Sequence, residues 1–193
     1  MNEFSNYFKL GIQHILDLNA IDHILFVIAL CAVYLFRDWK KILILVVAIT
    51  VGHSLSLSLA TLQLIKFDKN WVEFLIPVTI AIPAFSNILK PKPANGKGMQ
   101  ANYFFALIFG LIHGISFSSY LGPLLRSKRG FFEPLLAFNL GLGLAQLVIV
   151  LAFLLCSSIV VGMIGTNKKE WTLVTSALVL GMSLMMLIDS KFW

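Results

Sequence analysis

At 193 residues, 59% hydrophobic and only 12% charged, with a mean hydropathy of +0.89, the chain is more apolar than a soluble domain, which is nearer half apolar and a quarter charged. This composition places it in the membrane class. The net charge of +6 at pH 7 does not mark a nucleic-acid binder: Lys and Arg lie in short loops between apolar runs, as topology determinants do, with no RNP-type, zinc-finger or helix-turn-helix pattern beside them.

The segment Met1 to Lys9 lacks the basic region, apolar core and cleavage site of a signal peptide, so the first helix is expected to be retained. A membrane span needs about 20 apolar residues. Six such runs are predicted, at about 17–36, 41–64, 71–89, 101–121, 132–160 and 170–188. The first stops at Arg37-Asp38. Lys66-Phe67-Asp68-Lys69 ends the second, and Pro77 and Pro83 kink the third. Lys90 to Lys97 is the clearest loop, and Arg126 to Gly130 separates the fourth run from the fifth. Runs of this length satisfy their backbones in lipid only as helices. The expected fold is therefore an all-α integral membrane protein, a single bundle of about six transmembrane helices over residues 1–193 (seven being possible), without a soluble domain. Cys31 and Cys156 fall inside the runs and read as small packed hydrophobes.

Small residues recur at helical spacing: Ala48, Gly52, Ser56 and Ala60; Gly110 and Gly114; Ala137, Gly141 and Ala145. Such stripes let helix backbones approach closely. They turn His53 and His113, which lie among them, towards protein and away from lipid. Ser54, Ser56, Ser58, Ser116, Ser118 and Ser119 read as bonds to neighbouring helices or back to carbonyls.

All four histidines, His14, His23, His53 and His113, lie in or beside spans. Polar side chains are expensive there and mark functional sites. With six spans both termini share one side, here side A. His53 and His113 each lie 12 residues into a span, about 18 Å from the opposite side B, hence roughly 12 Å below side A in a core of about 30 Å. Asp22, His23 and Asn139 fall at a similar depth, with His14, Glu73 and Glu133 nearer the side A lip. The side B half is nearly all apolar; Thr79, Asn87 and Gln146 are its few polar candidates.

His14, Asp22, His23, His53 and His113 offer nitrogen and carboxylate donors without thiolate. That set suits a divalent transition metal ion (Ni, Co, Zn or Cu) rather than Ca or Mg. Asp22 and His23 are adjacent and about 100° apart on a helix, so one is expected on the ion and the other against a neighbouring helix. His14 either shares a helical face with Asp17 or lies in a loop ahead of an Asn19 N-cap. Asp17, Ser54, Glu73, Ser116 and Asn139 are candidates for supporting the ligands.

These residues also carry a resemblance. Gly11-Ile12-Gln13-His14 with Asp22-His23-Ile24-Leu25-Phe26 resembles the GxxH…DHxLF opening of the HupE/UreJ family. Gly52 to Leu57 resembles its GHSLTL signature, and Val72 to Pro77 its VEALIA segment. Phe109 to Phe117 resembles FGLxHGLGF, and Phe138 to Gly141 with Gln146 resembles FNLGVExGQ. The resemblance implies a six- or seven-helix membrane protein that handles nickel or cobalt, and it carries over His14, Asp22, His23, His53, Glu73, His113 and Asn139. Two positions depart from it: Gly143 stands where the family often has Glu, and Asp17 where it often has Gly.

The expected function is that of a transition-metal permease or a metal-delivery accessory protein, with a site open to one membrane face. The alternative is a membrane-embedded zinc-type hydrolase, with three His holding the metal and an Asp activating its water. Lys and Arg divide almost evenly between the two sets of loops, so orientation rests on the resemblance: a bacterial inner-membrane protein with both termini outside.

Overall fold

The computed structural model describes residues 3–18, 21–90, 97–126 and 132–190. Among them are seven α-helices and no strand: α1 (Glu3–Leu16), α2 (Asp22–Cys31), α3 (Trp39–Thr61), α4 (Lys69–Leu89), α5 (Lys97–Arg126), α6 (Phe132–Ser158) and α7 (Lys168–Asp189). A 3₁₀ turn at Phe36–Asp38 leads into α3, and a π turn at Ile159–Met163 extends α6. Five helices, α3 to α7, are long and apolar enough to cross a membrane. Their outer faces expose Leu, Val, Ile and Met, for example Leu144, Leu151, Leu178 and Met185, the side chains a lipid environment accepts. Connections between successive long helices are short, so α3, α5 and α7 end on one face (A), and α4 and α6 on the other (B).

Side-chain size fixes the two tightest packings. Gly110 on α5 lies against the Ile49 carbonyl and His53 amide of α3, and Gly114 against His53 and Ser56. The helices therefore run alongside in the same direction at backbone contact. On α1, Tyr7, Gly11 and Ile15 form the buried face, and Gly11 meets the Phe138 carbonyl of α6 while Gly141 meets that of Phe8. A Cβ at any of these glycines would strike backbone, which is why the contacts need glycine.

The region expected as one span over 17–36 is instead broken. Helix α1 ends at Leu16, α2 begins only at Asp22, and Ala32 to Tyr34 continue non-helically although buried. His14 thus lies in the last turn of α1, not in a loop; Asn19 lies outside the described residues. The interruption after α2 is tolerable because other helices satisfy the freed backbone, as an apolar environment demands. The Asn87 amide of α4 donates to the Ala29 carbonyl at 2.7 Å, and the Thr172 hydroxyl of α7 donates to that of Ala32 at 2.9 Å. The Leu35 amide donates to the Asp38 carboxylate at 3.3 Å. These donors come from 58 and 140 residues away, so no local pattern announces them.

Candidate metal centre

Four elements deliver the four imidazoles to one place. His14 comes from the end of α1, His23 from the start of α2, His53 from mid-α3 and His113 from mid-α5. Ring centroids lie 4.7 Å apart for His14–His23, 5.8 Å for His14–His53, 6.4 Å for His23–His53 and 4.4 Å for His23–His113. The α3–α5 glycine contact is what brings His53 and His113 level. His23, His53 and His113 are buried.

Asp22 joins the same cluster. One of its oxygens accepts from the His23 amide at 2.9 Å and lies 3.1 Å from His23 Nδ1; the other is 3.6 Å from His113 Nδ1. The two neighbours therefore do not diverge as a regular helix would make them. Asp22 is the first residue of α2, and there its side chain folds back over the free amides of the first turn. A carboxylate on Nδ1 leaves Nε2 of His23 as the ligand atom, the arrangement that orients metal-binding histidines. That Nε2 lies 3.1 Å from His113 Nδ1. With metal–nitrogen bonds of about 2.05 Å, adjacent ligands stand about 2.9 Å apart at right angles and about 3.3 Å apart at a tetrahedral angle. The observed spacing falls between these.

The remaining nitrogens ask for a partner. His14 Nε2, both ring nitrogens of His53, and His113 Nε2 are buried without a hydrogen bond. Leaving such groups unpaired costs roughly 1–3 kcal/mol each, and in a neutral ring at least one nitrogen offers a lone pair. Two sets place their donor atoms within 4.8 Å of one another, His14/His23/His53 and Asp22/His23/His113. His23 belongs to both. This is chemistry fitted to a borderline divalent cation.

Aromatic rings wall the cluster: Phe117 on His14 at 3.7 Å, Phe109 on His113 at 3.8 Å, and Phe138 at 5.9 Å from both His14 and His53. Sequence reasoning passed over these as generic apolar residues. The available signal was spacing: Phe109 and Phe117 lie four residues either side of His113, and share its helical face. An opening reaches the centre beside His14, a cavity of about 280 Å³ lined by Leu10, Gln13, His14, Asp17, Phe117 and Tyr120.

Other expected supporters lie elsewhere. Glu73 is exposed and pairs with Lys69 at 3.2 Å. The Ser54 hydroxyl back-bonds to the Thr50 carbonyl, and Ser119 to that of Ser116. Asn139 donates to the Leu135 carbonyl and lines an apolar cavity between α3 and α6, with Thr50 and Gly143; its neighbour Phe138 takes the inward position. A side chain at Gly143 would meet only the Thr50 hydroxyl, at 3.7 Å. Gly143 thus lines the α3–α6 cavity beside Thr50, not the imidazole cluster. Thr79 bonds within its own helix, and Gln146 accepts from Thr50.

A family model described as HupE / UreJ protein matches residues 1–191. No curated protein matches the chain, and no solved structure does.

Proposed function

Because the chain belongs to the HupE/UreJ family, an integral membrane family associated with metals, we propose that it binds a divalent transition ion, nominally nickel or cobalt, at the His14/Asp22/His23/His53/His113 centre and carries it across the membrane. The observation that bears most on this reading is His53: a fully buried imidazole with neither nitrogen hydrogen-bonded, facing two other histidines. Gln13 and Asp17 in the cavity beside His14 give the ion a polar entrance from face A, which we place outside. Asp22 supplies negative charge to offset that of the ion and holds His23 in its ligating tautomer. Zinc and copper suit the same donors.

The hydrolase reading needs a carboxylate free to activate a metal-bound water. Both oxygens of Asp22 face imidazoles, which favours a binding role over a catalytic one. The test of transport is accumulation of nickel or cobalt by vesicles holding the pure protein, abolished in His53→Ala. Vesicles that never accumulate metal, while the protein retains it, would refute transport.

A further inference from the structure

A transport path requires a way from the centre to face B, where the sequence is almost wholly apolar. Two helix faces lead there. Along α5, His113 is followed towards face B by Phe109, Phe105 and Asn102; along α2, His23 is followed by Phe26, Ala29 and Leu30. Directly beyond the imidazoles, the Phe26 and Phe109 rings lie parallel, centroids 3.3 Å apart and planes 2° from each other, both buried. Phe109 also stacks on His113, and its ring stands 6.1 Å from that of His23.

Past this stack three polar side chains enter an otherwise apolar wall. A cavity of about 140 Å³ lies between α2, α4 and α5, and Ser86, Asn87 and Asn102 line it with Pro83 and Phe105. Asn102 lies 11 residues from His113, about 16 Å along the helix. Its amide donates to the Tyr34 hydroxyl at 3.2 Å, as that of Asn87 donates to the Ala29 carbonyl; each carboxamide then has its oxygen to offer. Hydroxyl and carboxamide oxygens hold a transition ion less firmly than imidazole does, which is what a release station requires. Pro83 on the cavity wall removes one rung of α4, the kind of break at which helices bend.

We infer that Phe26 and Phe109 form the gate between the histidine centre and a second, oxygen-donor station at Ser86, Asn87 and Asn102, from which the ion leaves towards face B. The inference rests on the metal reading of the centre. It is tested without measuring net transport: the protein is loaded with nickel in oriented vesicles, and an impermeant chelator is presented at one face at a time. From face B, wild-type protein should yield its nickel slowly. Phe26→Ala, which leaves the His113-stacking ring in place, should yield it at least about tenfold faster, the effect of about 1.4 kcal/mol removed from a barrier. The rate from face A should not change. Phe26→Leu keeps apolar bulk for folding and should give a smaller acceleration from face B alone. Unchanged release from face B in both variants, or equal acceleration from both faces, would overturn the gate. Wild-type vesicles that fail to accumulate nickel, yet show face-specific acceleration in the variants, would support the gate while refuting transport.

Discussion

Substituting Gly110 by Ala tests how the site depends on the fold. Gly110 carries no ligand, yet its α-carbon faces the His53 amide and the Ile49 carbonyl of α3. An added Cβ would overlap the Ile49 oxygen and come within 3.0 Å of the His53 nitrogen. Both are backbone atoms of a helix, so no side chain can swing aside; α3 and α5 must separate by about 1 Å. Overpacking of this kind costs about 1–3 kcal/mol. The same separation carries His53 away from His113, and about 1 Å is several times the ±0.2 Å that metal–ligand bonds tolerate. Gly110→Ala should therefore lower folding stability in detergent by about 1–3 kcal/mol and weaken nickel binding at least about tenfold. Gly181→Ala is the matched control: nothing lies within 4 Å of its added Cβ, so it should be neutral or up to about 1 kcal/mol stabilising and should bind metal normally. Paired denaturation curves and metal titrations decide the matter. If Gly110→Ala equals Gly181→Ala in both, the backbone contact between α3 and α5 does not set the site, and the packing argument fails.

Asp22→Asn removes the charge that orients His23 and offsets the ion; metal affinity should fall about 10–100-fold, measured by competition with a chelator, with little change in folding. Thr172→Val deletes the hydroxyl bonded to the Ala32 carbonyl and should cost about 0.5–2 kcal/mol of stability, with metal stoichiometry unchanged at saturating nickel. Progressive acidification should strip metal reversibly, because protons compete for imidazole nitrogens; retention of the full complement in a dialysis assay down to the point of acid unfolding would count against histidine ligation.

Hydropathy made the long helices legible, because each of α3 to α7 carries an uninterrupted apolar run. The depth count picked out His23, His53 and His113 because residues per turn convert directly to ångströms along a regular helix. It also grouped Asn139 with them, and here depth misled: Asn139 shares their level, but its side chain faces the α3–α6 cavity. Depth says nothing of azimuth. The stop at the end of α2 was hidden for a different reason. Residues 17–36 are apolar enough to span, and what permits the helix to stop is Asn87 and Thr172, distant donors that meet the Ala29 and Ala32 carbonyls only in the folded bundle. Glu3, Lys9 and Gln13 disguised α1 as a lead-in segment, although Tyr7, Gly11 and Ile15 give it a buried face. The glycine spacing on α3 and α5 signalled close packing, and that packing is what sets His53 and His113 at one level.

The central claim is that the imidazoles of four helices, with Asp22, form one metal-binding centre. Elemental analysis of the purified protein tests it most directly, beside His53→Ala and His113→Ala. The wild type should hold nickel, cobalt or zinc, and both variants should lose it, or retain it at least about tenfold more weakly, while each remains folded. A wild-type protein that retains no transition metal after incubation with each in turn, or variants that retain it undiminished, would contradict the account.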